Sequence, residues 1–472
     1  MPGIASTDIE LGAVATATAQ QRSEIVARIE RLPFSRAHWH IASILSVGTF
    51  FDAFDAICIA TALTVIFTSL HIGFFNAGLL ISSAYVGQFV GAWAFGFMSE
   101  AYGRKIAFVI AIFLFGVLSI ATAFAWDFQS LVTLRVIQGL GLGGEVPVAA
   151  ALFNEFLRTE KRGRIALMYQ LIFIWGAMLT PVIGLICFSL FGQELGWRVM
   201  FLFGGIPALV AIYAWFALPE SPRWLVNRGR YTEADRILQR IEDQPWSEPL
   251  AAPQLKPQPE LRHTRFGELF AGIYLKRTIM LWTLWACAYF VAYGFSIWLP
   301  TLYVNLGGLP VTYALALSVV SWAITLSTMY TQAFLLDTIG RKPLLILGFT
   351  LITIGGTYGA LMVFFLHATS WQVLFSVGVI LSLGTSLTTS PAVNYTAELY
   401  PTRMRGLGVS TASSMNRLAS IFAPASVGAI LAAQLGIQTV FAMFACVGLI
   451  GFLVMAALGV ETKNRSLEEL SP

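Results

Sequence analysis

Twelve apolar stretches of about 20 residues account for most of the sequence, and this pattern constrains the fold more than any other feature. An α-helix of that length can cross the hydrocarbon core of a bilayer. Apolar residues make up 57% of the chain and charged residues only 11%, whereas a soluble domain carries roughly 25% charged residues. The sequence therefore predicts an all-α integral membrane protein with twelve transmembrane helices. The predicted spans are approximately 41–70, 77–99, 105–125, 128–156, 164–190, 197–217, 278–303, 312–336, 343–366, 371–397, 407–433 and 438–460.

Two short motifs occur once in each half of the chain. Gly103-Arg104-Lys105 recurs as Gly340-Arg341-Lys342. A glutamate followed by an Arg-Gly pair also occurs twice, as Glu155 with Arg162-Gly163 and as Glu398 with Arg405-Gly406. We therefore expect two pseudo-symmetric six-helix halves, 41–217 and 278–460. Membrane proteins built from two such repeats are typically secondary transporters, whose binding site lies at the interface between the repeats.

The basic residues predict the orientation of the chain. If the spans alternate in direction, every Lys and Arg falls on one side of the membrane except Arg135, Arg198 and Arg417. The positive-inside rule makes that side cytoplasmic, so we expect cytoplasmic termini in a cell (inner) membrane. The first 40 residues contain no recognisable removable signal peptide. The net charge of +4 reflects this topology and gives no reason to predict nucleic-acid binding.

Three segments are predicted to lie outside the membrane on the cytoplasmic side, namely 1–40, the central loop 218–277 and the tail 461–472. We expect a helix at 23–32 and another at 232–243. The Pro-rich segment 245–259 is interpreted as a linker that lets the two halves move relative to each other. Four cysteines lie inside predicted spans without metal-ligand spacing and are interpreted as small core residues, namely Cys58, Cys187, Cys287 and Cys446.

Longer motifs resemble those of the major facilitator superfamily, and together they cover the whole membrane region. They are found at 96–105 and in a second copy at 336–342, at 219–225 after the sixth span, and at 461–469. The resemblance implies twelve helices in two halves that rock about a central site. It also implies a cytoplasmic gate that includes Arg104 and Arg341.

Narrower motifs favour one branch of that superfamily. The segments 31–39, 51–55, 135–149 and 160–164 resemble the proton-coupled metabolite symporters, a branch with niacin transporter-like and synaptic vesicle glycoprotein-like members. Aromatic acid:proton symporters share the acidic residues of the first span and are close to this branch. The paired glutamines that sugar porters carry in their seventh helix are absent from 280–300. The resemblance therefore implies an organic acid as substrate rather than a hexose.

Four charged residues inside the first half are candidates for proton coupling. Asp52 and Asp55 lie three residues apart, so they share one helix face, and Asp55 matches the position of the proton-linked acid in the resembling family. Arg135 is the predicted counter-ion of Asp55, because the first and fourth helices face each other in relatives. Glu145, about 15 Å deeper in the fourth helix, is predicted to bind a proton or to gate. The alternatives are a structural ion pair and a solvated glutamate beside a glycine run.

Arg417 is the predicted substrate-binding residue of the second half. Its guanidinium is a planar fork that matches the two oxygens of a carboxylate. The alternative is an ion pair with an acid of the protein, but the spans of the second half contain no acid before Glu398, near the cytoplasmic end. The sequence therefore favours an anionic substrate.

An aromatic stripe at helical spacing runs along the seventh span: Trp282, Trp285, Tyr289 and Tyr293. The two tyrosines are predicted to be a stacking platform for a flat ring, with simple packing as the alternative. Asn394 and Gln138 are predicted to orient polar atoms of that ring.

Two ion pairs are predicted at the cytoplasmic face, where they would hold the outward-open state closed to the cytoplasm. They are Glu155 with Arg162 and Glu398 with Arg405.

The sequence thus predicts alternating-access, proton-coupled import of a small organic anion, with nicotinate or a similar aromatic or heterocyclic monocarboxylate as the leading substrate. A symporter for another organic acid of the benzoate type and a non-transporting sensor on the same fold are the alternatives. We predict no enzyme activity, because no P-loop, zinc-ligand helix or nucleophile elbow is evident. We also predict no cofactor, no metal, and a monomer whose partners are its substrate, protons and lipid.

Overall fold

The computed structural model describes residue 21 and residues 23–157, 162–244, 265–463 and 465. Within these residues the regular elements are helices, and 11 of them are long and apolar enough to cross a membrane.

The first half consists of long helices with defined starts. These helices are α1 Arg36–Ser69, α2 Phe74–Tyr102, α3 Arg104–Thr122, α4 Phe128–Phe156, α5 Arg162–Phe203 and α6 Ile206–Ala217. α1 begins at a capping box, in which the Ser35 N–H donates to His38 Nδ1 at 3.2 Å. α4 begins at Asp127, whose carboxylate accepts from the Ser130 N–H at 2.7 Å. Gly103 separates α2 from α3 at φ 118, a conformation that favours glycine.

A break at Gly192 divides α5 into two crossings. The apolar stretch Leu171–Ala217 has 47 residues, and a single helix of that length would extend about 70 Å. The hydrocarbon core is only about 30 Å thick. Gly192 has φ 76 and ψ 173, so one helix ends there and another begins. The 11 candidate spans therefore correspond to twelve crossings, as the sequence predicts.

The central loop carries short helices between the two halves. They are α7 Pro222–Asn227, α8 Tyr231–Glu242 and a 3₁₀ helix at Phe266–Phe270. The helices predicted at 23–32 and 232–243 are confirmed, since helix is present at 23–31 and in α8. The predicted linker 245–259 lies outside the described residues.

Ion pairs fix the N-terminal surface helix at 23–31 to α8. Arg28 bonds Glu242 at 2.7 Å and also bonds Asp235, and Arg31 bonds Glu242 at 2.6 Å. Burial of Glu242 opposes its ionisation, but the two arginines hold the pKa of that carboxyl below its usual value. Both surface segments therefore belong to the first half.

The second half repeats the six-crossing plan with two broken crossings. Its helices are α9 Ile273–Ser296, α10 Leu299–Asn305, α11 Val311–Thr338, α12 Arg341–Leu366, α13 Trp371–Thr389, α14 Ala392–Leu399, α15 Thr402–Ala432 and α16 Ile437–Leu458. α9 and α10 form one crossing that is interrupted before Pro300. α13 and α14 form another, with Pro391 at the break. Breaks of this kind free backbone groups within a crossing and are common next to transporter sites.

The two halves meet most closely at one end of the bundle. We call the end with the Gly103 and Gly340 turns the inner end, and the opposite end the outer end. Near the outer end α2 packs on α15 so tightly that a Cβ at Gly78 would lie 2.9 Å from the Pro424 carbonyl oxygen. A Cβ at Gly428 would lie 2.6 Å from the carbonyl oxygen of α2's first residue. At the inner end, each ion pair between two described residues stays within one half. The ion pairs between described residues therefore do not join the two halves at the inner end.

The cysteine interpretation needs one correction. Cys58, Cys187 and Cys287 are buried, as expected for core residues, but Cys446 is exposed on α16. A spanning helix turns one face to lipid, so a position inside an apolar span does not by itself imply burial.

Candidate functional site

A buried network joins α1 to α4 near the middle of the first half. Arg135 Nη1 donates to both carboxylate oxygens of Asp55 at 2.7 Å. It also donates to Gln138 Oε1 at 2.9 Å, and Gln138 Nε2 donates to Asp55 Oδ1 at 2.8 Å. The three side chains are at most 2% exposed. The predicted Asp55–Arg135 contact is therefore present, and it is a charge pair removed from water.

Gln138, which was predicted to orient the substrate ring, bonds the Asp55–Arg135 pair in this conformation. Both ends of its amide are used within the Asp55–Arg135 network, and the residue is fully buried. Because Gln138 lies one helical turn from Arg135, its amide reaches the same carboxylate. In this conformation Gln138 orients the ion pair, and its contact with a substrate stays a prediction.

Glu145 lies deeper in α4, packed against α1. Thr49 Oγ1 donates to Glu145 Oε1 at 3.2 Å, and the carboxyl is fully buried. The space exists because Gly48 has no side chain, since a Cβ there would lie 2.4 Å from Glu145 Oε1. The burial excludes the alternative of a solvated glutamate in this conformation. Its role in proton movement stays a prediction.

Arg417 projects from α15 into the space between the halves. Its Nη1 donates to Gln88 Oε1 of α2, in the other half. Arg417 is half-buried and forms no ion pair with a described residue. Asp52 of α1 is 8% exposed, forms no hydrogen bond among the described residues, and interacts electrostatically with Arg417. The structure thus places a cation with a replaceable neutral partner beside an acid.

Aromatic rings line the same space. Trp285 stacks on Tyr289 with a centroid distance of 5.3 Å, and Tyr289 stacks on Tyr293 at 6.1 Å. Tyr85 of α2 meets Tyr293 from the other half at 5.2 Å, nearly edge to face. Asn416, the neighbour of Arg417, lies close to the Tyr293 side chain. The predicted tyrosine stripe therefore forms a wall beside the guanidinium.

No hydrogen bond among the described residues joins Asn394 to this cluster. It lies on α14, is half-buried, and makes no side-chain hydrogen bond within the described residues. Its contact with a substrate stays a prediction.

Sequence reasoning missed three residues of the cluster, namely Tyr85, Gln88 and Asn416. A signal was available, because Tyr85 and Gln88 are three residues apart and so share a face of an otherwise apolar span. Polar side chains in a spanning helix rarely face lipid. Gln88 is 3% exposed, which fits that rule.

Two matching ion clusters lie at the inner end. In the first half, Arg104 bonds Glu155 at 3.2 Å, and Glu220 accepts from the Arg104 N–H at 3.0 Å. In the second half, Arg341 bonds Glu398 at 3.3 Å, and Glu461 accepts from the Arg341 N–H at 3.1 Å. The two copies of the Gly-Arg-Lys motif therefore make the same contacts, one set in each half. Each arginine holds the turn at the start of one helix to the acid of another.

One of the two predicted gate pairs needs a correction. Glu398 bonds Arg341 in this conformation, while Arg405 Nε donates to the Ala397 carbonyl at 2.9 Å. Glu155 bonds Arg104, and the Arg162 side chain lies outside the described residues. Both glutamates lie at the inner end, as predicted. The partner predicted for Glu398 is wrong in this conformation, whereas the pairing of Glu155 with Arg162 stays a prediction.

A family model described as "Sugar (and other) transporter" matches residues 41–472. The chain belongs to this family of the major facilitator superfamily. The resemblance predicted from the motifs is thereby confirmed, and its members are transporters rather than enzymes.

Named relatives cover nearly the whole chain. The chain is 30% identical over 450 residues to the niacin transporter NiaP of Acinetobacter baylyi, an alignment that covers 95% of this chain and 99% of that protein. It is 29% identical to the inner membrane metabolite transport protein YdjE of Escherichia coli, covering 96% and 99%. It is 28% identical to the 4-hydroxybenzoate transporter PcaK of Acinetobacter baylyi, covering 88% and 89%.

Solved structures share the fold. The crystal structure of a D-xylose-proton symporter superposes with a TM-score of 0.72 at 20% identity, covering 91% of this chain and 99% of that one. The inward-open xylose transporter XylE of Escherichia coli gives a TM-score of 0.72 at 21% identity, covering 92% and 99%. The predicted fold of twelve helices in a membrane transporter is confirmed.

Proposed function

We propose that this protein imports a small organic monocarboxylate that carries a flat ring, together with protons, and that nicotinate is the first substrate to test. The observation that carries the proposal is the Arg417 guanidinium, which faces the space between the halves and, among the described residues, has the neutral Gln88 amide as its hydrogen-bond partner. We also propose that the inner end faces the cytoplasm, because the basic residues concentrate there.

Arg417 is suited to recognise a carboxylate. A guanidinium can donate two parallel N–H bonds to one carboxylate, and such charge-assisted pairs are about twice as strong as neutral hydrogen bonds. A charge inside a membrane protein is costly without a partner, so it usually marks a ligand or an ion pathway. An internal ion pair would have argued against a substrate role, and no described carboxylate bonds Arg417.

The ring of the substrate would lie on the aromatic wall. Tyr289 and Tyr293 stack on each other beside Arg417 with an interplanar angle of 26°, and Tyr85 closes the wall from the other half. Offset-stacked and edge-to-face contacts favour an aromatic ring by about 0.5–1.5 kcal/mol beyond simple burial. The names of two relatives, a niacin transporter and a 4-hydroxybenzoate transporter, support a ring-bearing acid.

Asp52 and Asp55 are the residues through which proton binding would be coupled to binding of the anion. An ionised Asp52 shares the field of Arg417 and repels an incoming carboxylate, so a proton on Asp52 favours substrate binding. Asp55 bonds the Arg135 guanidinium in this conformation. Movement of α1 relative to α4 would separate this pair and allow Asp55 to take a proton. Proton affinity is then tied to conformation, which symport requires.

Nicotinate should compete for uptake far better than nicotinamide. The two ligands share a ring, but only nicotinate carries the charge that Arg417 would bind. Losing a hydrogen bond between charged groups costs about 1.5–3 kcal/mol, so we expect inhibition constants that differ about 10- to 150-fold. The measurement is inhibition of labelled nicotinate uptake into proteoliposomes, with benzoate, 4-hydroxybenzoate and D-xylose as further competitors. Equal inhibition by nicotinate and nicotinamide would contradict the carboxylate assignment.

Uptake should follow the pH gradient and ignore the membrane potential. One monoanion and one proton carry no net charge, so a potential that is worth about 2.3 kcal/mol per charge per 100 mV contributes nothing. An inward-acid gradient contributes about 1.36 kcal/mol per pH unit. Proteoliposomes with an imposed pH gradient or with a potassium diffusion potential separate the two terms. Accumulation driven by potential at equal pH would reject the one-proton scheme, and accumulation under neither gradient would favour a facilitator or a sensor.

A further inference from the structure

Gln88 joins the two halves through Arg417. Among the described residues, the Arg417–Gln88 bond is the hydrogen bond between two side chains that joins one half to the other. Gln88 is 3% exposed and Arg417 is half-buried, so the bond is partly shielded from water, and such shielding strengthens a charge-assisted hydrogen bond. The bond therefore couples a residue of the proposed site to the contact between the halves.

The bond lies at the deep edge of a packed contact between α2 and α15, which we call the outer seam. Toward the outer end, Ser82 Oγ donates to the Ile421 carbonyl at 2.7 Å. Further out, Gly78 packs against the backbone at Pro424. The two helices run in opposite directions, so Gln88 and Arg417 continue this register toward the middle of the bundle. The outer seam cannot open along its length while the Gln88–Arg417 bond is intact.

The chemistry of Gln88 suits a temporary partner. An amide offers one neutral oxygen to the guanidinium, whereas a carboxylate offers two charged oxygens. A glutamate at this position would form a strong ion pair that a substrate could not easily displace, and an apolar residue would leave Arg417 without a partner in the empty protein. Glutamine avoids both outcomes.

We propose that Gln88 latches the outer seam by binding Arg417 in the substrate-free protein, and that a substrate carboxylate opens the latch by displacing Gln88. The latch itself needs no substrate. Its release by a carboxylate rests on the function proposed above. Gln88 is thus a positioning residue that links occupancy of the site to opening at the outer end.

The test measures the outer seam directly. Spin labels are attached at Phe75 of α2 and Ala432 of α15, both exposed, after the exposed Cys446 is replaced by Ser. In the substrate-free protein, Gln88→Met should raise the ratio of open to closed distances at least tenfold, which corresponds to about 1.4 kcal/mol. The matched control is Gln332→Met, because Gln332 is equally buried but bonds the Leu387 carbonyl within the second half. This control should leave the distances unchanged.

Further variants separate the latch from a general loosening. Arg417→Met should produce the same shift as Gln88→Met, and the double variant should add nothing, because both changes break one bond. Gln88→Glu should stay closed. An unchanged distance distribution in Gln88→Met, or additive shifts in the double variant, would overturn the latch. If Gln88→Met does not fold, a Gln88→Glu protein that opens in the absence of substrate overturns it as well.

Nicotinate tests the release step. Added to protein with native Gln88, it should raise the open population, and it should fail to do so in Gln88→Glu. Equilibrium binding is measured on the same samples. Binding without any change in the distances overturns release by displacement. Absence of binding contradicts the proposed substrate, while the substrate-free distances still decide whether the latch exists.

Discussion

Replacing Asp55 by Asn should leave the protein able to exchange its substrate but unable to concentrate it. Asn has nearly the size of Asp and can still accept bonds from Arg135 and Gln138, but it cannot carry a proton on and off. With a one-unit inward-acid gradient, a one-proton symporter can accumulate substrate about tenfold. We expect that ratio to fall to about one in Asp55→Asn, while counterflow of labelled against unlabelled nicotinate continues.

The stability of the variant must be separated from its coupling. Removing one partner of a buried ion pair can cost about 3–5 kcal/mol, because Arg135 keeps an uncompensated charge. The double variant Asp55→Asn/Arg135→Gln removes both charges and should recover stability without recovering accumulation. Asp127→Asn is the matched control, since this acid is exposed at the start of α4 and Asn also caps helices well. Full accumulation by Asp55→Asn would refute its coupling role.

The topology could be predicted from the sequence because the bilayer sets one length scale for every span. A stretch of about 20 apolar residues has few alternatives to a membrane helix, so hydropathy alone indicates all the crossings. The break at Gly192 lies between two predicted spans, and it divides the apolar stretch Leu171–Ala217 that would otherwise count as one. The local pattern of apolar residues was therefore sufficient to predict the membrane crossings.

The site could be predicted only in part, because it depends on contacts between helices. The Asp55–Arg135 pair was predictable, since two opposite charges in apolar spans need each other. The position of Gln138 was not predictable, because an amide in a spanning helix can hydrogen-bond either a ligand or an ion pair. Likewise Glu398 could reach Arg341 or Arg405, and the fold brings it to Arg341. Gln88 lies 329 residues from Arg417, so no local pattern links them.

Arg417→Ala should weaken nicotinate binding more than any other single change in the cavity wall. The change removes both the charge and the fork, and the loss of charged hydrogen bonds of about 1.5–3 kcal/mol corresponds to a rise in Kd of about 10- to 150-fold. Arg417→Lys keeps the charge but loses the planar fork, so its Kd should lie between those of the native protein and Arg417→Ala.

Equilibrium binding is the suitable measurement, because Arg417 also bonds Gln88 and its loss would alter transport rates for a second reason. Nicotinamide binding should change little in either variant, since the amide carries no charge for Arg417 to bind. Arg198→Lys is the matched control, because Arg198 lies at the outer end and donates to the Ala123 and Ala125 carbonyls, away from the aromatic wall. If Arg417→Ala weakens nicotinate and nicotinamide equally, the guanidinium shapes the cavity without binding the carboxylate. A Kd for nicotinate that stays at the native value would place the anion site elsewhere.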